Sequence, residues 1–215
     1  IISPFCDVLY AKTSFVYLSL FFPILPVLLY IHPLNSQGTL PHKLHLLALA
    51  NTYKQLLISL VKKDKGYGIV QNEVDLFLPE NPSDGVTVNY SGYDVTIIPQ
   101  GGNGKVKAKQ CDDAIIYDEY FGKNASLKYT PLLSGVKEDI ILNSYVENAT
   151  YDFIVETNGL YIYNDDIGYY LADETNSTII YYLGDVEVYD AIGKPELGEM
   201  KVTVLEEGQR YRLTL

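Results

Sequence analysis

Residues Gly85–Pro99 read GVTVNYSGYDVTIIP. Val86, Val88 and Tyr90 alternate with Thr87 and Asn89, and beyond Ser91-Gly92 the alternation resumes through Val95 and Ile97. Successive strand residues face opposite sides, so this rhythm predicts two strands, each with one apolar face. Ser91-Gly92 supplies the two residues of a tight hairpin, where positive φ is required. The stretch is therefore an antiparallel hairpin with one side for a core.

The same rhythm extends in both directions. It predicts strands at Glu73–Leu78, Val86–Tyr90, Tyr93–Pro99, Val106–Gln110, Ala114–Tyr117, Ser126–Thr130 and Val136–Asn143. It continues at Thr150–Glu156, Leu160–Asn164, Gly168–Ala172, Ser177–Tyr182, Val186–Asp190, Lys201–Glu206 and Gln209–Leu215. Phrases rich in Gly, Pro, Asn and Asp separate them, among them Gly101-Gly-Asn-Gly104 and the second tight turn at Glu207-Gly208. Many short strands without intervening helical patterns predict a mainly β protein, an antiparallel sandwich. The 20 Tyr and 7 Phe, with no Trp, suit pleated half-buried surfaces.

Upstream the composition changes. Ser14–Ile31 reads SFVYLSLFFPILPVLLYI, uncharged and long enough to cross a bilayer or to serve as the apolar part of an export signal. Pro23 and Pro26 weaken a helix there, and a buried apolar segment or a stretch foreign to the domain are the other readings. From Pro41 to Lys63, Leu46, Leu49, Ala50, Tyr53, Leu57 and Leu60 recur at spacings of three and four, predicting an amphipathic helix stopped by Gly66 and Gly68. The expected organisation is an apolar and helical appendage over 1–65 and a β domain over 66–215 that folds by itself. The first residue is Ile and the sole Met is Met200, which suggests a piece of a longer or processed product.

A formal charge of −11 leaves no basic face for nucleic acid. Cys6 and Cys111 are too sparse for a disulfide framework or a zinc site.

Several phrases in the β half carry a resemblance. They are Asn72–Glu80 (NEVDLFLPE), Gly85–Tyr90, Gly92–Ile97 and Gly135–Asn143 (GVKEDIILN), then Tyr151–Leu160 (YDFIVETNGL), Val188–Ala191 and Gly208–Thr214 (GQRYRLT). In order and spacing this set resembles the non-repeat region of RHS/YD-repeat, wall-associated surface proteins of Gram-positive bacteria, over about residues 66–215. The resemblance implies an extracellular or cell-surface β-rich module within a long secreted chain. Its implied partners are neighbouring modules, a wall polymer or a protein. Where such proteins often carry a Pro-Ala-Pro-like phrase, this chain reads Leu183–Tyr189 (LGDVEVY), and residues 1–63 have no counterpart. The matching phrases read as structural and transfer no catalytic residue.

Acidic pairs occur at Asp112-Asp113, Asp118-Glu119, Asp165-Asp166 and Asp173-Glu174. Neighbouring carboxylates on a strand face opposite sides, which does not suit a glycosidase pair, and Asn164-Asp165-Asp166 with Asp173-Glu174 lacks the Asp-x-[Asp/Asn]-x-[Asp/Asn]-Gly spacing of a calcium loop. They read as solvated turns. His32, His42 and His45 lack accompanying ligands. The expectation is thus no catalytic residue, no cofactor and no metal. Tyr161, Tyr163, Tyr169, Tyr170, Tyr181 and Tyr182 are the candidate interaction surface, either an aromatic platform or cross-strand pairs. A non-catalytic structural or interaction module is expected, with a carbohydrate-binding or carbohydrate-processing sandwich as the alternative. Membrane contact, if any, would run through Ser14–Ile31. Within Gly135–Asn143, Glu138 falls on the apolar face, and Lys128 is its expected partner.

Overall fold

The computed structural model describes residues 12–19, 59–70, 74–144, 146, 149–166, 168–189 and 195–215. The strands, in chain order, begin with β1 (Lys12–Ser19), β2 (Ser59–Lys63), β3 (Gly66–Val70), β4 (Asp75–Pro79), β5 (Val86–Tyr90) and β6 (Tyr93–Pro99). They continue with β7 (Lys109–Cys111), β8 (Ala114–Tyr117), β9 (Ala125–Leu132), β10 (Gly135–Leu142), β11 (Asp152–Thr157) and β12 (Tyr161–Asp165). The last are β13 (Gly168–Ala172), β14 (Ile179–Leu183), β15 (Glu187–Tyr189), β16 (Pro195–Leu197), β17 (Lys201–Glu206) and β18 (Arg210–Thr214). The mainly β expectation holds.

Two antiparallel sheets form. The first runs β12-β13-β14-β1-β10-β9-β8-β7, with β15 also pairing β1 and carrying β16. The second runs β17-β18-β11-β6-β5-β4-β3-β2. One apolar cluster joins them: Val88, Val95, Ile97, Val155 and Leu213 from the second sheet meet Ile115, Leu127, Ile140 and Leu171 from the first. The opening hairpin pairs Val86↔Ile97 through Tyr90↔Tyr93, and its turn residues Ser91 and Gly92 have φ of 53° and 87°. The hairpin of β17 and β18 closes over three residues, Glu207–Gln209, because Glu206 lies opposite Arg210.

Tyrosine hydroxyls cross between the sheets. From the first sheet, Tyr117 donates to the Pro79 carbonyl at 2.6 Å and Tyr181 to the Tyr93 carbonyl at 2.8 Å. Tyr120, just beyond β8, donates to the Pro99 carbonyl at 2.9 Å. Burial of a phenol is costly unless the hydroxyl finds an acceptor, and here the acceptors are strand-end or edge carbonyls of the facing sheet.

The N-terminal expectations change where they can be read. The helix expected over Pro41–Lys63 is replaced at its end by strand β2, which pairs with β3; residues 41–58 lie outside the described residues. Leu60 there packs on the core and Lys62 lies over the Tyr67 ring at 4.4 Å, so spacing of two, not four, sets that segment. Gly66 is no helix stop: a Cβ there would strike the Leu78 carbonyl and the Phe77 ring. The division expected at residue 65 falls in the β2–β3 turn, and Lys12–Ser19 contributes a strand between β10 and β14. Of Ser14–Ile31, residues 14–19 belong to that strand and 20–31 lie outside the described residues. Among the described residues no helix is long and apolar enough to cross a membrane. Val106–Ala108 is loop, tied through the Ala108 N–H to the Glu80 carbonyl.

Candidate functional site

The six candidate tyrosines sit on β12, β13 and β14, and register divides them. Tyr163 lies opposite Tyr170, and Tyr170 opposite Tyr182. Their rings form a ladder on the face away from the core, with centroids 5.8 Å apart at 27° and then 5.9 Å apart at 44°, and the middle ring, Tyr170, is buried between its neighbours. Tyr161 shares that face through its position two residues before Tyr163. Tyr169 and Tyr181 point the other way: Tyr181 is buried in the core and Tyr169 packs against it. Each adjacent Tyr pair is thus split between faces, as alternation requires.

The ladder is tied down by its own chain. The Tyr163 hydroxyl donates to the Glu174 carbonyl at 2.9 Å, and Asn176 Nδ2 donates to the Tyr170 hydroxyl at 3.1 Å. Both partners belong to the turn between β13 and β14. Asp173 organises that turn: Oδ1 accepts from the Ser177 N–H at 2.9 Å and from Thr175 Oγ1 at 2.8 Å, while Oδ2 accepts from Ser177 Oγ at 2.8 Å. The Ser177 N–H and the two hydroxyls hold the Asp173 carboxyl well below the usual carboxylate range. Its oxygens are engaged by the turn itself.

Of the other acidic pairs, Asp165 ends β12, and the remaining members are turn residues. Asp112 (φ 53°) and Asp113 join β7 to β8, Glu119 has φ 54°, and Asp118 lies 3.6 Å from Lys109. Among the described residues no group of three or more His, Cys, Asp or Glu could hold a metal ion. His32, His42 and His45 lie outside the described residues. Cys111 is disulfide-bonded.

The buried acidic centre is in β10. Glu138 and Asp139 are each 2% exposed. Glu138 points inward as expected, but its cross-strand neighbour is Tyr129; Lys128 stands opposite Asp139 instead. The expected register assumed a loop over Pro131–Ser134, whereas β9 continues through Pro131 to Leu132. Pro131 is tolerated there because β8 has already ended on that side. Burial raises Glu138 to about 8, and Asp139 adds to the rise while the Tyr129 hydroxyl opposes it. Glu138 Oε2 and the Tyr129 hydroxyl have no hydrogen-bond partner of good geometry among the described residues. Asp139, on the opposite face of β10, is also buried, with Lys137 Nζ 3.4 Å away.

No family model, curated protein or solved structure matches the chain.

Proposed function

We propose that this chain is a non-catalytic structural or interaction module of a secreted or cell-surface bacterial protein. The observation that carries the reading is the use of its tyrosines. Those of the core bridge the two sheets, and the outer ladder stacks ring on ring with hydroxyls engaged by the adjoining turn. A sugar platform presents ring faces to the ligand; here Tyr163 and Tyr170 turn their faces toward each other, which favours cross-strand stabilisation.

Incubating the purified chain with isolated peptidoglycan and wall polysaccharide tests the proposal. Unchanged polymer is the expected result, and released sugars or peptides would overturn the non-catalytic reading. Because the chain has no Trp, its intrinsic fluorescence comes from tyrosine, and a single-tyrosine substitution isolates the ladder's share of it. Sugar-dependent quenching abolished by Tyr163→Ala would move the reading to the carbohydrate-binding alternative.

A further inference from the structure

We propose that β17 is the seam of a two-fold dimer, pairing antiparallel with β17 of a second copy and joining the two second sheets into one. The strand ends its sheet, hydrogen-bonded on one side to β18, with no strand on its other side among the described residues. Edge strands are normally blunted by charge, proline, brevity or a bulge, since an open row of N–H and C=O groups templates further pairing; the bulge of β17 lies at its far end, after Val204, and leaves Lys201–Val204 regular. This one reads KVTVLE, with Val204 52% and Leu205 43% exposed and no charge between its two ends.

The sequence of β17 is complementary to itself. Val204 lies opposite Tyr211 and Glu206 opposite Arg210, so Leu205 is the extra residue of a bulge. Discounting Leu205, the antiparallel two-fold register centred on Thr203 sets Lys201 against the second copy's Glu206 and Val202 against its Val204. Thr203 meets its own equivalent. The two members of each pair then share a face: Val202 and Val204 extend the apolar side, opposite Leu213 and Tyr211 of β18, while Lys201, Thr203 and Glu206 lie on the other side, opposite Thr214, Arg212 and Arg210. Opposite charges, paired valines and a Thr–Thr pair are each favourable cross-strand combinations. A shared operator makes each contact occur twice. The inference stands independently of where the protein resides.

Sedimentation or light scattering across a concentration series tests the seam on the full chain. Concentration-dependent dimerisation is expected, and a chain that stays monomeric overturns the proposal, leaving the edge to a strand of another protein. Lys201→Glu and Glu206→Lys each set like charges opposite one another twice, so each variant alone is expected to lose the dimer. Mixed together they restore opposite charges at both positions, and a heterodimer should form. A dimer indifferent to both substitutions overturns the seam. An unchanged melting temperature of the monomers separates this effect from misfolding.

Discussion

Glu138→Gln should stabilise the protein at neutral pH and leave it unchanged in acid. In the folded chain the Glu138 carboxyl is raised from 4.5 to about 8, chiefly by burial. In the unfolded chain it ionises at its ordinary value, so the folded state holds the proton more tightly. The contribution is therefore complete below 4.5 and is lost as pH rises through the folded value near 8. The loss runs at roughly 1.4 kcal/mol per pH unit within that window. At about pH 7 it has reached about 3 kcal/mol, a sizeable fraction of a typical domain's stability. Glutamine keeps the shape and removes the ionisation. The titratable neighbours, Tyr129 and Asp139, stay in both proteins. Denaturant titrations from about pH 4 to about pH 8 would give two stability curves. They should meet in acid and diverge with pH, the wild type falling faster. Parallel curves, or a variant weaker throughout, would refute the argument that Glu138 is buried and protonated.

Ile140→Ala should cost ~2–5 kcal/mol, because Ile140 is fully enclosed between the sheets; a loss under ~1 kcal/mol in urea titration would mean that the core is elsewhere. Lys137→Ala, which a purely solvated position would make nearly neutral, should cost ~1–3 kcal/mol because it removes the ammonium beside buried Asp139. Tyr181→Phe leaves the Tyr93 carbonyl without its donor across the sandwich and should lower stability by ~1–3 kcal/mol, read by thermal unfolding. A chain beginning at Gly66 removes β1 and β2 and opens the edges of β3, β10 and β14. Loss of the cooperative transition is expected, and retained cooperativity would show that the later chain is self-sufficient, as its composition suggests.

The strands that announce themselves in sequence are those whose neighbours lie close along the chain. Val86–Tyr90 and Tyr93–Pro99 have matching ends in sequence and structure because alternation and a two-residue turn specify both strands and register. β2 and β3 were hidden for a different reason. Leu57 and Leu60 extend a helical spacing into Ser59–Lys63, and Gly66 and Gly68 look like a helix terminus, so only pairing partners farther along reveal strands. β1 was harder still, since its Phe15–Leu18 merges with the apolar run that continues to Ile31 and carries no period. Within the candidate site, the division of the tyrosines between faces was legible from alternation. The partner of Glu138 was not, because Pro131 disguised two residues of β9 as loop and displaced the register.

The position of β1 makes assembly wait on synthesis. Its partners are β10, through Ser19↔Gly135, and β14, through Leu18↔Leu183, both far downstream. At ribosomal rates of roughly 5–20 residues per second, several seconds pass before either partner has been made. Until then this strand can reach no native neighbour, and the closing contact of the first sheet is among its most non-local. Such topologies fold slowly and leave an apolar segment available to chaperones, to export machinery, or to another nascent chain. A strand made well before its partners is thus among the last that can settle, and agents that bind it early would govern the yield of folded protein more than the stability of the finished sandwich.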